Sequence, residues 1–168
     1  GLPVLARETL TNLAARLRAV NEQVTGYDQR LQQLARDSEP ARRVMAVEGI
    51  GPVTATAVVA TVGNGHEFHS GREFAAWLGL TPRQSSSGGK SRLGRITKRG
   101  NEYLRRLFIH GARSVLRLTG ARTDRKSRWA EGVKGRRGEN IAAIALAAKH
   151  ARILWALLTR GEAYQVAA

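Results

Sequence analysis

A heptad of apolar residues near the amino terminus constrains the fold of this chain more than any other feature. Eight seam positions follow one another at alternating spacings of three and four residues: Leu10, Leu13, Leu17, Val20, Val24, Tyr27, Leu31 and Leu34. The pattern predicts one long helix, over residues 1–38, that packs along a narrow stripe. The stripe fits a coiled coil between protomers or a long helix lying on its own domain. Because the sequence offers no equally long partner stripe, we favour the coiled coil.

The distribution of charge points to a polyanionic partner. The chain of 168 residues holds 28 Lys and Arg against 13 Asp and Glu, a net charge of +15. Residues 81–137 carry 17 of the cations and three acids, and 23 of the 28 cations are Arg, whose planar fork suits phosphate. This predicts nucleic-acid binding rather than a merely soluble basic surface. There is no Cys, so disulfides and thiolate metal sites are excluded, and we expect no membrane-spanning run.

Residues 40–63 form the first motif of a second region, residues 39–168. Pro40 suits the first turn of one short helix, and Pro52 opens another after Gly49 and Gly51 break the first. A Gly-x-Gly turn between two helices resembles the helix-hairpin-helix module, in which glycines let the backbone approach a phosphate. The alternative is a tight helix turn without a ligand.

The remaining segments predict a mostly α fold without a convincing strand series. Ser70 and Glu73 form a capping box for a helix that Gly79 ends, and a further helix starts at Asn101, with Tyr103 facing inward and Arg105 and Arg106 outward. The polar, basic residues 119–138 read as a linker or mobile loop. A final helix is predicted over residues 139–160. The spacing of His66 and His69 allows metal ligation, but a surface loop fits better because few carboxylates lie nearby.

The segment 81–100 contains three consecutive serines that are followed by two glycines. It also holds six cations, one before the serines and five after them. On the residues alone, a Ser/Gly run is typical of a flexible loop. A serine among cations can also act as a nucleophile, since cations stabilise the charge of a phosphoryl transition state.

A family resemblance decides between these interpretations. The blocks "MAVEGIGPVTATAVVATVG", "FAAWLGLTPRQSSSGGKSRLGRITKRGNEYLRRLFIHGARSV" and "IAAIALAAKHARILWALL" resemble the C-terminal domain of the insertion-sequence one-ten and eleven-eleven transposases, described as bridge-RNA-guided recombinases. The resemblance covers about residues 44–158 and is most specific from Gly79 to Arg106.

The resemblance implies a serine nucleophile that cuts DNA through a covalent phosphoserine. The family's serine precedes a glycine, five places after a proline, which corresponds to Ser87 after Pro82. Ser86 is the second candidate, and Ser85 stands where related members vary. We expect the hairpin glycines, this loop and the following helix to bind nucleic acid through Gly49, Gly51, Arg83, Lys90, Arg92, Arg95, Lys98, Arg99, Arg105 and Arg106.

The resemblance also implies partners and a missing domain. Whole family members begin with an RNase H-like domain whose four acidic residues hold a divalent metal, Mg²⁺, whereas this chain has three Asp, none in a strand-rich context. We therefore expect the second half of a recombinase, without a cofactor of its own and inactive alone. Its expected partners are DNA, a guide RNA and further copies of itself, a dimer or a tetramer, in the bacterial cytoplasm with the nucleoid. The alternatives are a non-catalytic helix-hairpin-helix binding module and, last, an assembly scaffold.

Overall fold

The computed structural model describes residues 3–87 and 90–165, with side chains described outside residues 86–93. The elements are, in chain order, α1 Val4–Asp37, α2 Glu39–Met45, α3 Pro52–Val62, α4 Gly71–Trp77, β1 Pro82–Ser87, β2 Lys90–Ile96, α5 Glu102–Leu116, a 3₁₀ turn Thr119–Ala121, α6 Arg125–Arg137 and α7 Glu139–Arg160. The mostly α prediction is confirmed.

Helix α7 forms the centre of the core and packs against α2, α4, α5 and α6. Its small and branched residues Ala147, Ala151 and Leu154 are fully buried, and Phe74 of α4 meets Phe108 of α5 with ring centroids 6.2 Å apart. Contrary to the sequence expectation, α7 is long and apolar enough to span a membrane by length and composition. Half of that apolar window is buried inside the domain, which is the pattern of a core helix.

Helix α1 is one continuous helix that touches the domain only near its carboxyl end, where Ala35 is buried and Leu31 is partly buried. The other seven seam residues are each more than half exposed. A seam packed on its own domain would bury these side chains. The structure therefore leaves the stripe open from Leu10 to Tyr27.

The segment predicted as a loop, 81–100, is instead an antiparallel hairpin of β1 and β2. Two further backbone bonds continue the pairing beyond the strands, from Thr97 N to Thr81 O at 2.9 Å and from Lys98 N to Gly79 O at 3.2 Å. Gly79 has a φ of +71°, and a Cβ there would lie 2.8 Å from Arg99 N. A Cβ on Gly100 would overlap the Trp77 carbonyl oxygen. These glycines let the two ends of the hairpin meet against α4. Apolar alternation in the sequence does not indicate such a hairpin.

The segment predicted as a linker, 119–138, contains α6 instead. Asp124 caps this helix, accepting a 3.0 Å hydrogen bond from Ser127 N. Trp129, Ala130 and Val133 pack the helix against Leu116 of α5 and the start of α7. These three apolar residues, at i, i+1 and i+4, are enough to dock an otherwise polar, basic helix.

Candidate nucleic-acid interface

The hairpin brings the candidate serines opposite the basic strand. In its register Ser85 pairs with Arg92, Ser86 with Ser91 and Ser87 with Lys90. The backbones of Ser86, Ser87, Lys90 and Arg92 therefore share one end of the hairpin. Their side chains, and the whole of Gly88 and Gly89, lie outside the described residues.

The base of the hairpin displays exposed cations. Arg83, Arg95, Lys98 and Arg99 are all exposed, and none forms an ion pair with a carboxylate in the described part of the chain. Arg83 Nη2 donates a 3.4 Å hydrogen bond to the Thr97 carbonyl across the two strands. Lys98 has a φ of +55°, a left-handed conformation that non-glycine residues seldom adopt. These four side chains have cationic heads in solvent, where a phosphate backbone can reach them.

Arg105 and Arg106 have different surroundings in the structure. Arg105, predicted to face outward, is only 8% exposed, and its Nη1 donates a 3.2 Å hydrogen bond to the Leu78 carbonyl. That carbonyl follows α4, where helix ends leave acceptors without intrahelical partners, so Arg105 ties α5 to α4. Arg106 is exposed and pairs with Glu102 at 2.5 Å. Tyr103, predicted to be buried, is exposed because Leu104 and Phe108 form the inner face of α5.

The two glycines of the α2–α3 turn have different surroundings. Gly49 has a φ of +80°, and a Cβ there would lie 2.5 Å from the Gly111 carbonyl of α5. This glycine serves the close approach of the turn to α5, so its backbone faces the protein. Gly51 is exposed at the N-cap of α3, without a side-chain cap, and a Cβ there would meet no described residue within 4 Å. Of the two, Gly51 is the one whose surroundings leave room for a phosphate. The helix-hairpin-helix assignment stays a prediction.

Sequence reasoning missed a polar cluster that joins the α2–α3 turn to α6 and the segment after α7. The Glu48 carboxylate accepts hydrogen bonds from Arg122 Nη1, at 3.0 Å, and from Lys126 Nζ. Lys126 Nζ also lies 3.2 Å from the Tyr164 hydroxyl oxygen. Burial, and then the charge of Lys149, lower the pKa of Lys126. The one sequence feature that could have indicated this cluster is the single acid, Glu48, inside the glycine turn.

His150 is fully buried on α7, and neither ring nitrogen has a hydrogen-bond partner among residues 3–85 and 94–165. Burial, and then the charges of Lys126 and Lys149, lower the pKa of His150 to about 3. The imidazole is therefore neutral at physiological pH and acts as a core side chain. His66 and His69 are both exposed, and no group of three acidic or histidine side chains that could hold a metal occurs among residues 3–85 and 94–165.

Comparisons with known proteins identify the family. A family model described as "Transposase IS116/IS110/IS902 family" matches residues 41–128, more than half of the chain. The chain is 48% identical over 164 residues to a probable family 20 transposase of Pseudomonas aeruginosa, covering 98% of this chain and 48% of that protein.

Two other relatives bear the name of an insertion sequence. The transposase for insertion sequence element IS1111A of Coxiella burnetii is 45% identical over 168 residues, covering 100% of this chain and 46% of that protein. The transposase for insertion sequence element IS1328 of Yersinia enterocolitica is 37% identical over 163 residues, with coverages of 97% and 49%. The chain spans about half the length of these curated relatives. It belongs to the transposase IS116/IS110/IS902 family.

Proposed function

We propose that this chain is the part of a transposase that cuts and rejoins DNA through a serine nucleophile, Ser87, with Ser86 as the second candidate. The observation that supports it is the hairpin register, in which the serine end of β1 pairs with the basic strand β2. At the base of the hairpin Gly79 lies against Arg99, and Gly100 lies against the Trp77 carbonyl of α4, so the strands that carry the serines start from a closely packed base. A nucleophile needs that kind of fixed attachment to reach a phosphate repeatedly.

The proposed step is a transesterification at phosphorus. The serine hydroxyl loses its proton, its oxygen bonds to phosphorus, and the bond from phosphorus to one sugar oxygen breaks. The departing sugar oxygen takes up a proton. In the second step another sugar hydroxyl loses its proton and its oxygen bonds to phosphorus, while the bond from phosphorus to the serine oxygen breaks and the serine oxygen takes up a proton. Lys90 and Arg92, which the register places opposite Ser87 and Ser85, are the cations that we propose to stabilise the charge that develops on the phosphoryl oxygens.

DNA and a guide RNA are the partners that we propose for the whole protein, which would act at the bacterial nucleoid. The exposed cations at the hairpin base form no ion pair with the carboxylates that the structure describes, which supports contact with phosphate backbones. The Mg²⁺ that the family resemblance implies is not assigned to this chain, because residues 3–85 and 94–165 contain no suitable group of ligands.

The nucleophile is tested in the intact transposase with a nicked suicide DNA substrate. We expect the unmodified protein to form a covalent protein–DNA adduct and Ser87→Ala to lose both the adduct and strand exchange while still binding DNA. Ser85→Ala, a change of the same size on the same strand, is the matched control and should keep the adduct.

Other outcomes of that experiment are equally informative. If Ser87→Ala forms the adduct and Ser86→Ala does not, the nucleophile is Ser86. If the unmodified protein binds DNA but never forms an adduct, the serine proposal fails.

A non-catalytic helix-hairpin-helix binding module is the second candidate function. The exposed Gly51, which opens α3 without a side-chain cap, favours it because free amides at a helix start bind phosphate. Such a module binds DNA and forms no covalent adduct, so the suicide substrate separates the two functions.

We further propose that α1 pairs two copies of the chain along its open seam. Recombination requires at least two strands to be cut in one complex, so one serine per subunit requires at least two subunits. A dimer is the default, because two-fold association is the commonest, and two dimers would form a tetramer.

A further inference from the structure

A cavity of about 410 Å³ lies where α6, α7 and the segment 161–165 meet. Pockets of this size hold one small ligand or one unit of a polymer. Its lining consists of three cations, two aromatic side chains and two others: Arg125, Lys126, Lys149, Trp129, Tyr164, Ile153 and Gln165. None of these residues belongs to the hairpin or to the α2–α3 turn, although Lys126 also bonds to Glu48 of that turn.

The cavity has an excess of positive charge. Lys126 pairs with Glu48, but Arg125 and Lys149 form no ion pair among the residues that the structure describes. The nearby Asp124 carboxylate accepts hydrogen bonds from the backbone N and the hydroxyl of Ser127, at 3.0 and 2.6 Å, and its negative charge offsets part of the excess at Lys149. Burial, and then the charges of Arg152 and Arg125, lower the pKa of Lys149. Like charges held this close repel one another, and a bound anion would relieve that repulsion.

Both aromatic rings of the cavity lie beside a cation. Lys149 Nζ is 4.5 Å from the centroid of the Trp129 ring, and Lys126 Nζ is 5.6 Å from that of Tyr164. An inorganic anion would contact the cations and not the rings. A ligand with a planar group next to a phosphate would use both. Nucleotides have that composition, and every base offers a face for stacking.

We propose that this cavity binds one unpaired nucleotide of a nucleic-acid strand, with its phosphate at Arg125 and Lys149 and its base against Trp129 or Tyr164. The inference rests on the proposed function, because it gives a nucleic-acid-binding chain a second point of contact. A base inside a duplex is stacked between its neighbours, so only a single-stranded or extruded nucleotide can enter.

The test measures the affinity of the 168-residue chain for three labelled probes: a short oligothymidylate, a short oligouridylate and a short duplex DNA. Trp129→Leu, which changes no charge, should weaken single-strand binding about tenfold, the loss of one base–aromatic stack, and leave duplex binding within about twofold. Tyr164→Ala should do the same if the base lies on that ring. Tyr164 follows the last helix and packs against one core cluster, whereas Trp129 packs against two, so Tyr164→Ala is the milder change if Trp129→Leu destabilises the fold.

The phosphate contact has a matched control. Lys149→Gln and Arg128→Gln each remove one positive charge, but Arg128 lies outside the cavity on the same helix as Arg125. We expect Lys149→Gln to weaken single-strand binding several times more than Arg128→Gln does. Circular dichroism melting verifies that each variant is folded.

Different failures identify different errors. The cavity is not a nucleotide site if the folded Trp129→Leu and Tyr164→Ala variants both bind the two single strands as tightly as the unmodified chain does. The same conclusion follows if the variants lose as much affinity for the duplex as for the single strands. In either case nucleic-acid binding by the chain stands. If the unmodified chain binds none of the probes, the proposed function fails as well. Tighter binding of oligouridylate would assign an RNA strand to the site, and tighter binding of oligothymidylate a DNA strand.

Discussion

At the scale of single residues, burial changes the meaning of several side chains that the sequence presents as functional. Gly49 looks like a phosphate-binding glycine, yet its φ of +80° and its contact with Gly111 make it a packing residue. Arg105 looks like a surface cation, yet it holds the carbonyl of Leu78. His150 is a titratable group placed in the core without a hydrogen-bond partner. Because protonation would place a charge in the core, burial of this histidine makes the stability of the chain depend on pH.

We predict that the free energy of unfolding falls as the pH drops below 6.5. Because the pKa of His150 is lowered to about 3 in the folded chain from an ordinary value of 6.5, the unfolded chain binds the proton more readily between these values. Stability therefore rises with pH across this window, by at most about 1.4 kcal/mol per pH unit. Urea titrations at a series of pH values down to 5 measure the slope.

Two histidine variants separate this effect from other groups. His150→Leu should flatten the slope between pH 6.5 and 5, whereas His110→Leu, at an exposed position of α5, should leave it unchanged. An unaltered slope in His150→Leu would show that a different group titrates.

At the scale of elements, α1 stands apart from the rest, since nothing in the described part of the chain covers its apolar stripe from Leu10 to Tyr27. Each of Leu13, Leu17 and Val20 is more than half exposed on a helix of 34 residues. Isolated long helices with such a seam gain most of their stability by packing on a partner. The seam is thus the element whose exposure most directly supports self-association.

We predict that polar seam residues dissociate the assembly. Leu13→Glu with Leu17→Glu should lower the mass measured by light scattering to that of one 18.3 kDa chain, because buried charges oppose seam packing. The matched control is Ala15→Glu with Ala19→Glu, which adds the same charge to the same helix away from the seam. If all forms run at one mass, α1 is not the interface.

The sequence predicted helices of the domain, among them α4, α5 and α7, whereas α6 was missed although Asp124 caps it. Ser70 and Asn101 cap α4 and α5 as expected, accepting hydrogen bonds from Glu73 N and Leu104 N, and the last helix spans Glu139–Arg160 as predicted. The hairpin and α6 were missed. The strand residues, such as Gln84 and Ser85, do not alternate between apolar and polar side chains. The hairpin is held instead by backbone pairing and by glycine contacts at its ends, and local sequence patterns do not encode such contacts.

The candidate site was predictable only in part, for a similar reason. Charge and family motif pointed to the hairpin, whereas the cavity lined by Lys149 and Tyr164 combines residues from separate parts of the chain. The helical period of α5 placed Arg105 on the wrong face, because the buried sector includes this residue beside Leu104. Which residues meet across elements depends on packing angles that a single sequence does not reveal.

At the scale of the whole molecule, charge is unevenly distributed. Residues 81–137 contain 17 of the 28 cations, and this segment includes the hairpin, α5 and α6. Exposed cations without carboxylate partners at the hairpin base make phosphate contact the main expected source of affinity.

We predict a steep salt dependence of DNA binding. Affinity should fall by about 10³-fold or more between about 50 and 200 mM salt if six or more phosphates are neutralised. Replacing Arg83, Arg95 and Arg99 by Gln should lower the slope of log affinity against log salt, since fewer counterions are released. Replacing Arg16, Arg18 and Arg30 of α1 removes the same charge and should leave the slope nearly unchanged. A flat response, or equal slopes in both variants, would place the contacts elsewhere.

The free length of α1 makes it a spacer as well as an interface. From residue 4 to residue 30 the helix extends about 40 Å beyond its contacts with the domain, at 1.5 Å per residue. If two arms pair in parallel, the two domains lie side by side at one end of the bundle. If they pair antiparallel, the domains stand at opposite ends, about 40 Å or more apart, which is the rise of roughly 12 base pairs of DNA. The direction of pairing would thus set whether two serines reach neighbouring phosphates or phosphates about one helical turn apart.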